Sequence, residues 1–358
     1  MARPLAPDPS VVDWGLLVGV ALAVATGLLG LLTGVPEDRW VFVVHGVVGL
    51  SLTVVLGAKV RRVAPRLRRP RTWDRSTAAA LVALAVVLAT LATGALWVSG
   101  VSVGVARWNG LMVHAVLGTA LVVPVLVHLA ARFRLPPREA VTDRRVALQY
   151  AAVASVGGAA YLAQQRLVAA LGGAGAARRF TGSREVASLA GNAFPRTEWA
   201  ADDPDQVAPA DWSLSVTGEV ARPLDIDYEE LVPEADDAAG AERRALLDCT
   251  SGWYSVQDWR GVRVGDLLDA VGARERGRYV RFVSVTGYRW SLPVADARDA
   301  LLATHVGDER LSHGHGFPLR LVAPGRRGFQ WVKWVDRVEV RADPDYGQWV
   351  AIFTSGLD

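Results

Sequence analysis

Residues 110–131 read Gly-Leu-Met-Val-His-Ala-Val-Leu-Gly-Thr-Ala-Leu-Val-Val-Pro-Val-Leu-Val-His-Leu-Ala-Ala and contain no Asp, Glu, Lys or Arg. A helix of about 20 apolar residues is long enough to cross the hydrocarbon core of a bilayer. Similar runs precede and follow it at about 13–33, 40–58, 77–98 and, more weakly, 146–171. The sequence therefore predicts an all-α bundle of about five transmembrane helices.

The two halves of the chain differ in charge. Of the 358 residues, 51% are hydrophobic and 21% are charged, a composition that excludes a disordered chain. Residues 1–172 carry 17 basic and 7 acidic side chains, whereas the remainder carries 22 basic and 29 acidic ones. The basic residues lie between apolar runs, so they do not indicate nucleic-acid binding. We expect a membrane domain at 1–172, a linker at 173–184 and a water-facing domain at 185–358.

Arginine-rich loops orient the predicted helices. The loop after the second run, residues 59–75, contains eight basic residues and one Asp, and the loop after the fourth run contains five arginines. The other two loops carry one positive charge each, Arg39 and Arg107. Positive loops remain in the cytoplasm. The N-terminus is therefore predicted to be cytoplasmic and the acidic half extracytoplasmic, attached to the cell membrane.

Three histidines lie within the predicted spans. His45 and His114 follow the outer ends of their runs by about four or five residues, so their imidazoles are expected at similar depth. Two facing imidazoles are what bis-histidine ligation of a b-type haem requires, and an ionisable group within a span indicates function. His128 follows His114 by 14 residues, which places both on nearly the same helix face, about 21 Å apart.

This spacing resembles the paired-haem helices of membrane b-type cytochromes, including the haem subunits that serve periplasmic methionine-sulfoxide reductases. The resemblance implies one haem on His45 and His114, and a second haem that would involve His128. The second helix departs from the pattern, because position 59 is Lys59 instead of a histidine. Lys59 and His128 could hold an inner haem, contact a quinol or do neither, and Lys59 could extend to the cytoplasmic face.

The fifth run is preceded by Thr-Asp-Arg-Arg-Val-Ala-Leu at residues 142–148, which resembles a twin-arginine export signal. A positive cytoplasmic flank would give the same pattern. Twin-arginine export is favoured if the second half of the chain must fold around a cofactor before it crosses the membrane. Ala and Gly around 169–177 would permit cleavage of this helix. Whether the helix is cleaved is an open question.

The second half has the pattern of a mixed domain. Residues 212–220 and 279–286 alternate between apolar and polar residues, as strands do. Residues 263–272 and 294–303 are predicted helices. The sequence predicts an α+β domain of about 175 residues, large enough for its own core.

The only cysteine lies in Leu-Asp-Cys-Thr-Ser-Gly-Trp at residues 247–253, so a disulfide framework and a Cys-rich metal site are excluded. Residues 313–320 read His-Gly-His-Gly-Phe-Pro-Leu-Arg, and residues 323–334 contain two further Gly-rich turns and Lys333. Such turns allow backbone N–H groups to approach a phosphate, and Arg and Lys supply charge. A soft thiolate could hold a metal beside that anion.

In order and spacing, these motifs resemble the molybdopterin-binding domain of the sulfite oxidase superfamily, nearest to the catalytic subunits of periplasmic methionine-sulfoxide reductases. The resemblance implies molybdenum held by one pterin dithiolene and by the thiolate of Cys249, the catalytic centre. It also implies cofactor contacts from Asn192, Phe194, Ser284, His315, Arg320, Trp331, Val332 and Lys333.

The implied reaction is oxygen-atom transfer, in either direction. Sulfite oxidases carry an Arg five residues after the cysteine, where this chain has Tyr254. The neutral, aromatic surroundings favour quinol-linked reduction of an S-oxide, such as a small S-oxide or methionine sulfoxide in proteins. Oxidation of sulfite, with electrons passing to the membrane, is the alternative. A membrane electron-transfer cytochrome whose outer domain only docks a partner is an alternative of another class.

Overall fold

The computed structural model describes residues 7–106, 108–132, 143–197, 202–232 and 240–357. The chain divides into two compact units, Met1–Gly182 and Ser183–Asp358. The predicted loop arginines at 107, 134 and 138, and Thr142 of the export-like motif, lie outside the described residues.

The first unit is built from long helices. They are α1 (Pro9–Leu32), α2 (Arg39–Leu67), α3 (Arg75–Val98), α4 (Gly110–Ala120), α5 (Val122–Arg132) and α6 (Arg144–Ala170). A short hairpin of β1 (Gly104–Val105) and β2 (Trp108–Asn109) connects α3 to α4. Five spans of the described chain are long and apolar enough to cross a membrane, and α4 and α5 together form one of them. The predicted five-helix membrane unit is confirmed at this level.

The fourth span is interrupted at Leu121. Pro124 lies in the first turn of α5. A proline has no N–H to donate to the carbonyl four residues earlier, and its ring collides with that carbonyl. The affected carbonyl belongs to Ala120, the last residue of α4, so the break occurs where the proline predicts it.

Small residues allow close packing between the helices. A Cβ at Gly157 of α6 would lie 2.0 Å from Ser51 Oγ of α2, and one at Gly19 of α1 would lie 2.6 Å from Leu52 Cδ2. Glycine at such positions lets two helix backbones approach, which drives helix association in lipid.

The second unit contains two sheets. The first comprises β3 (Arg184–Glu185), β6 (Ala241–Cys249), β7 (Trp253–Arg263), β10 (Leu301–Val306), β11 (Glu309–Arg310) and β12 (Arg320–Val322). The second has the order β5 (Leu224–Asp227), β4 (Ser213–Gly218), β13 (Val335–Arg341), β8 (Tyr279–Ser284) and β9 (Arg289–Pro293). Only the β3–β7 and β4–β13 pairs of the described strands are parallel.

Four short helices complete this unit. They are α7 (Tyr228–Leu231), α8 (Val264–Ala270), α9 (Val294–Arg298) and α10 (Gln348–Thr354). The helix predicted at 263–272 is confirmed by α8, but the one predicted at 294–303 is wrong in its second half. There Leu301, Leu302 and Ala303 form part of β10, because they pair with both β7 and β12 and are fully buried. The core between the elements includes Trp259 and Phe282, both fully buried.

Candidate functional site

Cys249 lies at the tip of the β6–β7 hairpin. The register pairs it with Trp253, and the intervening turn includes Gly252 at a φ of 92°, a conformation that favours glycine. The thiol is buried, with the residue 6% exposed. A strand end on either side of a tight turn therefore fixes the position of the sulfur.

Two hydroxyl groups surround the sulfur. Cys249 Sγ lies 3.1 Å from Ser251 Oγ and 3.6 Å from Thr197 Oγ1. The indole N–H of Trp253 donates to the same Thr197 oxygen at 3.2 Å. Sequence reasoning missed both hydroxyl residues. Ser251 was visible within the cysteine motif, whereas Thr197 lies 52 residues upstream and carried no signal.

A buried ion pair links the β6–β7 hairpin to the Gly-rich segment around residue 328. Arg327 Nη1 lies 2.9 Å from Asp248 Oδ2, and both side chains are 3% exposed. Asp248 also accepts a 2.6 Å hydrogen bond from Ser183 Oγ. A Cβ at Gly328 would lie 3.1 Å from the Cα of Cys249. The Gly-rich segment around residue 328 therefore packs directly against the backbone of the cysteine.

The predicted cofactor residues His315, Arg320 and Lys333 meet around one turn. Arg320 Nη1 donates to the carbonyl of His315 at 2.8 Å, and Lys333 Nζ donates to the carbonyl of Gly314 at 3.2 Å. The His315 ring has both nitrogens engaged, 2.7 Å from Ser312 Oγ and 2.9 Å from the Phe194 carbonyl. The structure thus brings residues 18 positions apart into one cationic cluster.

Burial determines the charge states in this cluster. Burial, aided by the charges of Arg320 and Lys333, lowers the pKa of His315 to about 4, against a hydrogen bond to Phe194 that raises it. His315 is therefore neutral at pH 7. Burial also lowers the pKa of Arg320 to about 10, while the negative charge of Cys249 raises it. Arg320 remains a cation, and Cys249 lies within its electrostatic reach.

The remaining predicted residues occupy supporting positions. Phe194 stacks on the His315 ring at a centroid distance of 4.0 Å. Asn192 donates to Glu309 and to the Arg310 carbonyl, which joins it to β11. The side chains of Trp331 and Val332 lie in the core, and Ser284 Oγ lies 3.0 Å from Thr286 Oγ1, which donates to Asp202.

A second candidate site lies in the helical unit. The rings of His45 (α2) and His114 (α4) have centroids 5.9 Å apart and planes at 85°. The Nδ1–H of His114 donates to the Thr90 carbonyl at 2.8 Å. Thr26 Oγ1 lies 3.0 Å from His45 Nδ1 and donates its own proton to the Leu22 carbonyl, so it accepts from the ring. Both tautomers therefore leave Nε2 with its lone pair.

The other two intramembrane candidates are arranged differently. Lys59 Nζ lies 2.5 Å from Asp13 Oδ1, and Arg62 pairs with the same carboxylate. The Lys59 side chain is thus held in an ion-pair cluster at the end of α1 and α2. His128 has a buried Nδ1 with no hydrogen-bond partner among the described residues.

Known proteins match the second unit. Residues 200–349 match the family described as "Oxidoreductase molybdopterin binding domain". The uncharacterized oxidoreductase YuiH of Bacillus subtilis is 30% identical over 141 residues, which cover 38% of this chain and 69% of that protein. The chain belongs to this molybdopterin-binding oxidoreductase family.

Two other relatives are matched over a smaller share of their own length. The catalytic subunit of protein-methionine-sulfoxide reductase MsrP of Xanthomonas campestris is 31% identical over 147 residues, covering 36% of this chain and 44% of the relative. Mitochondrial sulfite oxidase of Rattus norvegicus is 36% identical over 115 residues, covering 29% of this chain and 21% of the relative. The chain thus spans less than half the length of either relative. The solved sulfane dehydrogenase SoxCD of Paracoccus pantotrophus matches 39% of this chain and 40% of its own, with 25% identity and a TM-score of 0.36.

The residues of the oxidoreductase unit fit a pterin-bound metal. The described part of the chain contains no group of three or more His, Cys, Asp or Glu side chains that could hold a metal. Cys249 offers one thiolate ligand to a metal, and the matched family binds molybdopterin. The Nε of Arg320 is buried and has no hydrogen-bond partner among the described residues, so it is a donor that a polar ligand could use.

Proposed function

We propose that this oxidoreductase reduces an S-oxide, such as methionine sulfoxide in proteins, at the extracytoplasmic face of the membrane with electrons from quinol. The observation that carries the substrate class is the set of side chains in direct contact with the Cys249 sulfur, where the described contacts are the uncharged hydroxyls of Ser251 and Thr197. A site for an anion such as sulfite would place cations beside the metal.

Further features support the neutral substrate. Position 254 is Tyr254, where sulfite oxidases have arginine. Of the buried arginines nearby, Arg327 pairs with Asp248, and Arg320, which donates to the His315 carbonyl, would bind the pterin instead of the substrate. Similarity to a protein-methionine-sulfoxide reductase subunit favours the same class.

The chemistry balances with two electrons and two protons. Reduction of an S-oxide breaks the sulfur–oxygen bond and yields a sulfide and one water. Bound molybdopterin supplies the oxygen-atom transfer. Cys249 would hold the metal, and the hydroxyls of Ser251 and Thr197 would hydrogen bond to its thiolate. Arg320 and Lys333 would bind the pterin and its phosphate, and neutral His315 would orient the turn that carries them.

In the membrane unit, His45 and His114 would hold a b-type haem, which exchanges one electron at a time. A haem iron held between the two imidazoles would require both rings to lie close together. The observed separation of the ring centroids is 5.9 Å, and Nε2 is the ligand atom left available on each ring.

Glycines leave room for the macrocycle. Gly49 and Gly118 follow His45 and His114 by four residues, one turn inward on the same helix face. A Cβ at Gly49 would meet nothing within 4 Å, and one at Gly118 would meet only Thr90 Cγ2 at 3.7 Å. The two positions one turn inward of the histidines therefore carry no side chain that would compete with a haem for space.

The arginine-rich loop between α2 and α3 supports a cytoplasmic N-terminus, and an odd number of spans then places the second unit outside. We propose twin-arginine export for that unit. Arg144 and Arg145 begin α6, where Asp143 caps the helix by accepting from the Arg145 N–H at 2.8 Å.

The test uses the full-length protein in detergent with a soluble quinol. Methionine sulfoxide, free and within a peptide, should drive quinol oxidation at one quinol per sulfoxide. The matched arm supplies sulfite and the oxidised quinone. Quinone reduction by sulfite that is faster than sulfoxide reduction would overturn the proposed direction and substrate. Activity with a soluble viologen donor but not with quinol would contradict only the proposed electron transfer from quinol through the membrane unit.

A further inference from the structure

We propose that Arg178 and Arg179 bind the two propionate carboxylates of the haem held by His45 and His114. This inference rests on the haem site of the proposed function and adds the residues that anchor its anionic edge. Both arginines lie in the segment that follows α6. Neither belongs to the two candidate sites described above.

The depth of the histidines determines where the carboxylates must point. His45 follows the first residue of α2 by six positions and His114 follows that of α4 by four, which places the rings about 9 and 6 Å from the outer helix ends. Inward of the rings lies the hydrocarbon interior, where an unpaired carboxylate is very costly. The propionates of a haem at this depth must therefore point to the outer end.

Arg178 lies at that end on the His114 side. A Cβ at Gly94 of α3 would lie 2.8 Å from His114 Cε1, so the ring packs against α3 at this level. Trp97 is one turn further outward, and the Arg178 guanidinium carbon lies 3.8 Å from the centre of its ring. Both Trp97 Nε1 and Arg178 Nη1 donate to the Gly182 carbonyl, at 3.0 and 2.9 Å.

Arg179 lies at the same end on the His45 side. Phe42 is three residues before His45 on α2, hence about one turn outward, and its ring contacts Phe180 edge to face at 5.5 Å. The Arg179 guanidinium carbon lies 5.1 Å from the Phe180 ring, and its Nη2 donates to the Gly34 carbonyl at 2.9 Å. Two adjacent arginines thus extend to opposite sides of the histidine pair.

The spacing and chemistry match a ligand with two carboxylates. A guanidinium presents a planar set of donors that pairs bidentately with a carboxylate, and the pairing is strong where water is scarce. Both side chains are half-buried and positioned by aromatic contacts and backbone carbonyls, so little conformational freedom remains to be lost on binding.

The experiment measures haem affinity and reduction potential in the full-length protein. Arg178→Gln and Arg179→Gln should each weaken haem binding by about tenfold, measured by haem transfer to apomyoglobin. Each should also lower the haem reduction potential, because a cation beside the propionates favours the more negative, reduced haem. Arg39→Gln removes the same charge from an exposed position at the same end of α2 and should change neither quantity.

An esterified cofactor provides the decisive comparison. With haem dimethyl ester, which has no propionate charge, the wild type and both variants should bind equally. If a Gln variant misfolds, Arg178→Lys and Arg179→Lys retain the charge and should retain most of the affinity. Equal binding of free haem by wild type and the double Gln variant overturns the inference, as does an equal loss in Arg39→Gln. A wild-type protein with no haem overturns the haem part of the proposed function itself.

Discussion

The two candidate sites differ in how deeply the surrounding apolar side chains are buried. Cys249 lies in a core that includes Trp259, Leu247 and residues from both sheets, most of them fully buried. The buried cluster of the helical unit is small, namely Leu56, Val87 and Leu121. Many apolar side chains there are exposed, among them Val123 at 66%. The hydrophobic effect drives the packing around the first site, because apolar side chains there are buried away from water. Around the second site, lipid can cover the apolar surface of the helices.

The difference has a consequence for each site. The cysteine site is assembled from segments far apart in the chain, so its geometry depends on the stability of the whole unit. The histidine site needs two side chains on adjacent helices, each positioned by one hydrogen bond. We therefore expect substitutions at one site to leave the other intact, and damage to the core to affect only the first.

The largest expected effect is on catalysis. Cys249→Ser should remove the bound molybdenum and lower sulfoxide reduction by more than the 10- to 100-fold typical for partners that do not ligate the metal. The b-type absorbance of the same sample should stay at the wild-type level. Metal analysis and a dithionite-reduced minus oxidised spectrum measure both. Loss of both the molybdenum and the b-type absorbance would show that the two sites are not independent.

The reciprocal change removes the electron path. His45→Leu or His114→Leu should lower haem per chain to about a tenth or less, because each would remove one of the two ligands in the proposed haem site. Quinol-driven activity should fall accordingly, while viologen-driven activity and molybdenum content stay unchanged. His128→Leu is the matched control on the same span, and one haem per chain should remain in it. Two haems in the wild type would instead give His128 or Lys59 a role as ligand.

The buried ion pair behind Cys249 tests the dependence on the core. Asp248→Ala leaves Arg327 buried without its counter-charge, which costs about 3–5 kcal/mol. The thermal midpoint of the oxidoreductase unit should fall, and the haem signal should not change. Asp258→Ala breaks the exposed pair with Arg244 on the same hairpin and should have almost no effect on that midpoint. Equal shifts in the two variants would contradict the importance of burial.

The pH dependence is a smaller effect confined to the catalytic unit. The pKa of His315 is about 4 in the folded protein and about 6.5 when unfolded, so the unfolded state binds the extra proton first. The stability contributed by neutral His315 is present above pH 6.5 and is lost as pH falls from 6.5 toward 4. Thermal midpoints across this range should fall less steeply for His315→Asn than for the wild type. Parallel slopes would mean that His315 does not titrate in this way.

The smallest expected effect concerns the thiolate environment. Thr197→Val removes a hydroxyl 3.6 Å from the sulfur and should lower the molybdenum reduction potential, because the thiolate becomes a stronger electron donor. Activity should change by less than about tenfold. Thr304→Val, a buried threonine on β10, controls for the loss of a hydroxyl as such. A potential unchanged in Thr197→Val would remove this residue from the site.

The sequence reveals features that depend on local pattern. The spans were predictable because hydrophobic length alone determines them, whereas the interruption of the fourth span at Pro124 emerged only from the structure. His45 and His114 follow the starts of their runs by similar distances, and the structure places their ring centroids 5.9 Å apart. The strand β10 was not predictable in this way, because Leu301 to Ala303 suit a buried helix equally well until their pairing partners are known.

Long-range contacts account for most of what was missed. Thr197 contacts the sulfur only because the preceding segment packs against the hairpin, and no spacing rule links it to Cys249. The partner of Lys59 is Asp13, 46 residues earlier on another helix. Arg178 and Arg179 looked like part of a linker until the structure placed them at the end of the helical unit.

The burial of the one thiol also bears on oxidative damage. A chain with a single cysteine cannot form an intramolecular disulfide, and Cys249 is 6% exposed at the hairpin tip. Oxidants reach thiolates that are exposed and free, and they convert them stepwise to sulfenic and then irreversible sulfinic acids. The same hairpin that positions the metal ligand therefore shields a chain that has no second cysteine to rescue the first.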